Sequence, residues 1–302
     1  MKKVVMIFCT VFFLGCVGNV YSAESEKEAF VKGIQCVQKG DFNAAIKSFS
    51  KAIKAKPDFI EAYHNRGLSY FMKGKKDEAL ADFDKVLEMK PDLAEAHFYR
   101  ACIYDAKHDP KRALADYTKT VELKPDFAPA YSARGLIYSK QEDFEKALSD
   151  FNKVVEILTT SASSMDYYLR GKAYSSSHRH DQAIVDFNKA IELDPRNIGA
   201  YCDRGWSYLE TGELQKTVSD NTKAIELDSK YSWAYYDRAL ARFGMKEYEA
   251  ALDDYKKAVK LNPKGARGAY EHFMKHRELF GSSEAGKTGE AIIKLLKSKS
   301  EH

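Results

Sequence analysis

Proline, small and aromatic positions recur along the chain at a fixed spacing. Pro57, Pro91 and Pro125 lie 34 residues apart, and Pro195 and Pro263 continue the series at intervals of 70 and 68 residues. A 34-residue period is typical of an array of helix-turn-helix units. Each unit is expected to hold two antiparallel helices, and the proline near its end is expected to stop the second. Seven such units start at residues 26, 60, 94, 128, 164, 198 and 232.

Within each unit, small and aromatic residues occupy fixed positions. Position 8 is Gly or Ala in all seven units and position 20 is Ala in six, which would let two antiparallel helices approach closely. Position 24 is aromatic in six units, and position 11 is Tyr in units 2 to 6. We expect these rings to fill the gaps between successive helix pairs, where large aromatic areas supply most of the packing energy. The position-24 rings are Phe49, Phe83, Tyr117, Phe151, Phe187 and Tyr255.

At these positions the chain resembles the tetratricopeptide repeat (TPR) family, and the resemblance covers residues 26–265. It implies an all-α fold, a right-handed α-solenoid of seven repeats whose first helices line a concave groove. It also implies a scaffold that binds a protein or peptide partner rather than an enzyme, with no cofactor. Some members bind the acidic tails of chaperones with a set of Lys and Asn side chains. That set is missing here, because Phe30 and Ile34 occupy its first two positions in unit 1.

Several segments depart from the repeat. Unit 1 has Ala29 and Cys36 at positions 4 and 11 and lacks the Arg that units 2 to 7 share at position 7, which suits an end-capping repeat. Unit 4 has Thr159 in place of its proline and two extra residues within a polar stretch, so we expect a kink between repeats 1–4 (residues 26–161) and repeats 5–7 (residues 164–265). Unit 6 carries Thr217 and Asn221 where Ala and an aromatic ring are usual. Residues 266–302 are expected to form two capping helices, from Ala266 to Phe280 and from Lys287 to Ser298.

Residues 1–23 have the pattern of a secretory signal peptide. Two lysines precede an uncharged apolar run of 11 residues, which is shorter than the roughly 20 residues that span a bilayer. Val20 and Ser22 suit cleavage before Ala23 by the ordinary signal peptidase. Alternatively, Phe13-Leu14-Gly15-Cys16 resembles a bacterial lipobox, in which Cys16 would carry a lipid anchor. Both interpretations predict export, to the periplasm or beyond.

Charge and composition exclude several other classes. The hydrophobic content of 44% and the aromatic content of 13% are too high for a disordered chain. Lys and Arg number 48 against 44 acidic residues, a net charge of +4 that falls to +2 without the signal peptide, which holds two lysines and no acid. A nucleic-acid binder would normally show a strongly basic face. Cys36, Cys102 and Cys202 fall in units that are not neighbours, so we expect unpaired thiols.

Two charged positions repeat together. Position 7 is Arg and position 23 is Asp in each of units 2 to 7, whereas unit 1 has neither. Their co-occurrence favours a structural ladder of ion pairs between facing helices, because burying unpaired Arg is costly. The alternative is a row of cations that lines an anion-binding groove. The pairs are Arg66 with Asp82, Arg100 with Asp116, Arg134 with Asp150, Arg170 with Asp186, Arg204 with Asp220, and Arg238 with Asp254.

Aromatic residues concentrate on the expected binding surface. In the TPR family, positions 2, 5, 6, 9, 12 and 13 of each first helix tend to face the groove, and we call this surface the groove face. Both tryptophans of the chain fall on it, in adjacent units. Because exposed aromatic patches commonly mark binding sites, we expect partner contacts there, above all in units 5 to 7. For each Trp the alternative is packing between repeats or against the C-terminal helices. The candidate residues are Phe71, Phe98, Tyr99, Tyr168, Trp206, Leu209, Trp233, Tyr236 and Phe243.

Two other motifs carry weaker chemistry. The segment from Gly281 to Thr288 matches the phosphate-binding P-loop pattern, but a working P-loop follows a strand, and the preceding sequence is helix-like. Nucleotide binding is therefore a minor alternative. His178 and His180 lie in the turn of unit 5 and, without a third ligand nearby, make a poor metal site. No metal site is expected.

Overall fold

The computed structural model of the protein describes residues 23–277 and 283–300, and within these ranges it contains sixteen α-helices, two short 3₁₀ turns and no strand. The all-α fold expected from the repeat pattern is confirmed. Residues 1–22, which hold most of the expected signal peptide and Cys16, lie outside the described residues. No helix in the described ranges combines the length and apolar composition needed to cross a membrane.

The chain divides into two units, residues 1–123 and residues 124–302. The first unit contains repeats 1 to 3. Its helices are α1 (Ala23–Gln38), α2 (Phe42–Ala55), α3 (Ile60–Met72), α4 (Lys76–Met89), α5 (Ala94–Ala106) and α6 (Pro110–Leu123).

The second unit contains repeats 4 to 7 and two further helices. Repeats 4 and 5 consist of α7 (Ala128–Lys140), α8 (Phe144–Leu158), α9 (Ser164–Ser176) and α10 (His180–Leu193). Repeats 6 and 7 consist of α11 (Ile198–Glu210), α12 (Leu214–Leu227), α13 (Ser232–Gly244) and α14 (Tyr248–Leu261), and the C-terminal helices are α15 (Ala266–Arg277) and α16 (Ser283–Ser300).

Each helix pair closes where a small residue meets a ring. The six rings at position 24 are at most 2% exposed. Gly171 shows why position 8 must be small, since a Cβ placed there would lie 2.8 Å from Cε1 of Phe187. Helices can therefore approach until the ring of the second helix lies against the backbone of the first.

The turn inside each repeat uses one left-handed residue. At position 15, two residues before the second helix begins, φ lies between 59° and 84° in all seven repeats. Glycine takes this conformation without strain, but only three repeats have it there. His108 and His178 hold the same position in repeats 3 and 5.

The polar stretch after repeat 4 lies inside the second unit. Thr159–Ser161 form a 3₁₀ turn, and Ser163 then begins α9 with a capping box, in which its hydroxyl and the Asp166 carboxylate satisfy each other's backbone N–H groups. The division of the chain between α6 and α7 thus falls one repeat earlier than this stretch.

Repeat 6 fills its aromatic position with an amide. Asn221 is fully buried and donates from Nδ2 to the carbonyl oxygen of Thr217 at 3.0 Å. The Thr217 hydroxyl in turn donates to the carbonyl oxygen of Gly205 at 3.0 Å. Oδ1 of Asn221 has no hydrogen-bond partner among the described residues, so this repeat is held less well than its neighbours.

The two C-terminal helices cover the end of repeat 7. Phe273 of α15 and Ile292 and Leu296 of α16 are fully buried. The Phe273 ring lies 4.9 Å from that of Phe243 and 5.8 Å from that of Tyr255. The last repeat is thereby closed by residues that do not belong to the 34-residue pattern.

Candidate protein-binding surface and the ion pairs beneath it

A buried ion pair joins the two helices of every repeat from the second to the seventh. In each, Nε and Nη2 of the position-7 Arg donate to the two carboxylate oxygens of the position-23 Asp at 2.6–2.9 Å. The Asp side chains are 3–9% exposed and the Arg side chains 12–22%. This parallel two-bond geometry is the strongest form of an Arg–carboxylate contact. The guanidinium groups are thus engaged inside the repeat rather than presented to solvent as a row of cations.

The third guanidinium nitrogen reaches the preceding repeat. In five repeats Nη1 donates to the side chain at position 25 of the repeat before, at 2.6–3.3 Å. One Arg therefore contacts three helices: its own, the second helix of its repeat, and the second helix of the previous repeat. The acceptors are Ser50, Asp84, Asn152, Asn188 and Thr222.

Position 4 completes the surroundings of the Arg. In repeats 2, 4, 5, 6 and 7 it is a Tyr whose ring centre lies 5.4–5.6 Å from the guanidinium carbon. Repeat 3 has His97 instead, whose Nδ1 lies 2.8 Å from Oδ1 of Asp116 and whose Nε2 lies 2.9 Å from the carbonyl oxygen of Pro91. The pKa of Asp116 is lowered: burial raises it, but hydrogen bonds with Arg100 and His97 outweigh burial. In Asp82, by contrast, burial outweighs Arg66 and raises the pKa.

In the first unit, the groove face carries a compact aromatic cluster. Tyr99 lies 6.0 Å from Phe71, 5.3 Å from Phe98 and 6.1 Å from His64, measured between ring centres. Phe71, Phe98 and Tyr99 are partly exposed. Burial lowers the pKa of His64 to about 4, so its ring is neutral at physiological pH. The rings of this cluster are thus uncharged, and Glu95, at position 2 of repeat 3, is near enough to His64 to oppose the lowering of its pKa.

In the second unit, the two tryptophans differ in exposure. Trp233 is 42% exposed, with its ring 5.7 Å from that of Tyr236. Trp206 is partly buried, and His272 of α15 stands edge-on to its ring at 4.7 Å between centres. Tyr168 is also partly buried. Trp233 is therefore the large aromatic side chain most open to a partner on this face.

Three of the residues expected on the groove face are not available there. Leu209, Tyr236 and Phe243 are 5%, 3% and 2% exposed. They belong to the core that repeat 7 forms with α15 and α16. The Phe243 ring lies 4.9 Å from that of Phe273 in α15, whereas the Tyr236 hydroxyl donates to the carbonyl oxygen of Asn262 at 3.1 Å.

Two acidic residues of the groove face lack the partner that the ladder carboxylates have. Asp203 and Asp237 occupy position 6 of repeats 6 and 7, and burial raises the pKa of both, that of Asp237 to about 7. The thiol of Cys202 donates to Oδ2 of Asp237 at 3.4 Å, whereas Oδ2 of Asp203 is buried without a hydrogen-bond partner among the described residues. The sequence analysis missed this pair, although reading position 6 across the repeats would have found it.

The remaining candidate motifs have simple surroundings. Ser283–Thr288 form the first turns of α16, and Gly281 lies outside the described residues, as does Cys16. Cys36, Cys102 and Cys202 are free thiols, and burial raises the pKa of Cys102 to about 11. Within the described ranges, no group of three or more His, Cys, Asp or Glu side chains could hold a metal ion.

Comparisons with known families agree with the helix-pair geometry. A family profile described as "TPR repeat" matches residues 33–74, and profiles described as "Tetratricopeptide repeat" match residues 60–93, 128–157, 166–197, 187–218 and 232–264. Together these segments cover more than half of the chain. A comparison with curated protein sequences finds no match.

Solved structures share the fold. A tetratricopeptide repeat protein from Parabacteroides merdae is 23% identical with a TM-score of 0.57, covering 91% of this chain and 99% of its own. MamA is 25% identical with a TM-score of 0.52 over 58% of this chain and 94% of its own. YrrB, described as a TPR protein with an unusual peptide-binding site, is 24% identical with a TM-score of 0.53, covering 60% of this chain and 92% of its own.

Removing one guanidinium group of the ladder should destabilise the protein. In Arg170→Met, the Asp186 carboxylate stays buried without its partner, so urea denaturation should show a loss of about 3–5 kcal/mol in the free energy of unfolding. Adding Asp186→Leu should recover most of this loss, because both charges are then gone. The exposed pair of Arg179 and Glu145 is the control, and Arg179→Met should cost less than about 1 kcal/mol. Equal effects at both arginines would refute a structural ladder.

The carboxyl group of Asp237 should make stability depend on pH. Its pKa is raised from 3.8 to about 7, so between these values the folded protein keeps a proton that the unfolded chain releases. The contribution of Asp237 to the free energy of unfolding should therefore fall as pH rises from 4 to 7, by at most about 4 kcal/mol, and stay level above, whereas His64, whose pKa is lowered, contributes in the opposite direction over part of this range. The fall should therefore appear in the difference between the wild type and Asp237→Asn, and the difference between the wild type and Asp253→Asn, at an exposed site, should stay level. Identical pH profiles for the wild type and Asp237→Asn would contradict the assignment.

Proposed function

The chain belongs to the tetratricopeptide repeat family, and on that premise we propose that it is an exported scaffold that binds a segment of an envelope protein through the groove face of repeats 5 to 7. The exposed indole of Trp233 carries this proposal. Large apolar rings left open to water commonly mark binding surfaces, and Trp is enriched among the residues that contribute most to binding.

The surroundings of the charged residues support the same binding surface. The ladder arginines are held by Asp and by the neighbouring repeat, so they are not available to a ligand. The groove face is left to Trp233, to the partly buried Trp206 and Tyr168, and to the acidic pair of Asp203 and Asp237. YrrB, described as having an unusual peptide-binding site, shares this fold. A peptide or protein segment is the partner that suits such a surface.

Loss of both indoles should abolish partner capture. The mature wild-type protein, crosslinked briefly in its native envelope and purified, should retain a stoichiometric protein that Trp206→Ala/Trp233→Ala does not retain. Circular dichroism must first show that the variant is folded, because Trp206 contacts His272. Binding by aromatic burial should also change little between low and high salt.

Phe71→Ala is the matched control for that experiment, since it removes an aromatic ring from the groove face of the first unit. It should retain the partner. Capture that survives in the double variant and is lost in Phe71→Ala would move the binding surface to the first unit and refute the proposal for repeats 5 to 7.

Lipid anchoring is the second candidate for location, and the segment Phe13-Leu14-Gly15-Cys16 favours it. The intact mass of the mature protein distinguishes an unanchored exported protein from a lipid-anchored one. We expect a chain that begins at Ala23 and carries no lipid. A chain that begins at an acylated Cys16 would instead establish an envelope lipoprotein.

A further inference from the structure

A cavity of about 290 Å³ opens on the groove face of the second unit, between α9, α11 and α15. Trp206 forms one wall. The other residues include five basic side chains and two acidic ones. The basic ones are Lys172, His178, His180, His272 and Lys275, and the acidic ones are Asp203 and Glu210. We call this cavity the imidazole pocket.

Lysines balance the two acidic residues of the imidazole pocket. Nζ of Lys275 lies 3.5 Å from Oε2 of Glu210. Burial raises the pKa of Asp203, which disfavours its charge, and the nearby Lys172 is the main influence in the opposite direction. With the acids and lysines matched, the three imidazoles are the surplus basic groups of the cavity.

One of these imidazoles has an unused nitrogen. Nδ1 of His180 is buried and has no hydrogen-bond partner among the described residues. Such a nitrogen is costly unless something satisfies it. Burial lowers the pKa of His180, and the positive charges of His178 and Lys275 lower it further, whereas Glu210 and Asp181 act against them. A negatively charged group in the cavity would favour the protonated ring and give its nitrogen a partner.

We propose that the imidazole pocket binds an oxyanion and takes up a proton as it does so. In the complete protein this anion is a group on the bound partner segment, and that assignment rests on the proposed function. An acidic side chain would supply a carboxylate, and a phosphorylated one would supply a phosphate. Because α15 contributes His272 and Lys275, the capping helix is part of the site and not only a cover for repeat 7.

The test uses the purified protein without a partner. The chain has two tryptophans, so Trp233→Phe leaves Trp206, in the wall of the pocket, as the only indole. Its fluorescence is followed while acetate or inorganic phosphate is added at constant ionic strength, at pH 6 and at pH 8. Imidazole has an ordinary pKa of about 6.5, so coupling to one proton should make the binding of acetate, whose own charge is the same at both pH values, at least about tenfold tighter at pH 6. Saturation by acetate or by phosphate identifies the kind of oxyanion.

His108→Gln is the matched control, because His108 has the same turn position and left-handed backbone in repeat 3 as His178 has in repeat 5. In the same background, His178→Gln/His180→Gln should weaken binding and remove most of its pH dependence, and His108→Gln should change neither. Thermal melting must show all variants folded. A linear response to both anions at pH 6, or an unchanged pH dependence in the double variant, overturns the proposal.

The two proposals fail separately. The oxyanion titration needs no partner, so a failed titration leaves partner capture by Trp206 and Trp233 intact. Saturable anion binding without a captured protein would support the pocket but refute the assignment of its anion to a partner segment.

Discussion

Within each unit, the contact of one guanidinium group with three helices links successive repeats. A carboxylate as buried as that of Asp186 is stable only with a close cationic partner, and Arg170 supplies two parallel hydrogen bonds to it. The third nitrogen of the same group reaches Asn152 in the previous repeat. The electrostatic requirement inside one repeat thereby also orients the next repeat. Because the guanidinium group is planar, this orientation is specific in a way that apolar contacts alone are not.

This arrangement separates stability from recognition. The ladder lies between first and second helices, and the rings at position 24 fill the space beside it, so neither uses the groove face. Side chains on that face can then vary from repeat to repeat without loss of the helix packing. In the first unit they form a neutral aromatic cluster around Tyr99, and in repeats 6 and 7 they include Trp206, Trp233 and two acidic residues. The same scaffold therefore presents different aromatic side chains in its two units, with both tryptophans in the second.

The sequence predicts those features that repeat and misses those that do not. The 34-residue period gives the helix pairs, and the joint occurrence of Arg and Asp at fixed positions draws attention to the ladder residues. The acceptors at position 25 could not be predicted, because Ser50, Asp84 and Thr222 share only an oxygen atom and no residue type. Leu209 and Phe243 were expected on the groove face because their register matches it. Both belong to the core around repeat 7, where the Phe243 ring lies 4.9 Å from that of Phe273 in α15. Two capping helices were expected from residue 266 onward, but the residues that they contact could not be predicted from the repeat register.

Two aspartates of repeat 6 have different surroundings, and an arginine holds only one of them. Asp220 and Asp203 belong to the same repeat, yet Asp220 receives two hydrogen bonds from Arg204 while Oδ2 of Asp203 receives none from the described residues. Asp203 instead has the charge of Lys172 and the hydroxyl group of Tyr168 nearby, and burial outweighs both and raises its pKa. Burial therefore favours the neutral form of this carboxyl group, whereas Arg204 holds the charge of Asp220. A neutral Asp203 places less negative charge beside the imidazole pocket than an ionised carboxylate would, which suits the binding of an oxyanion there.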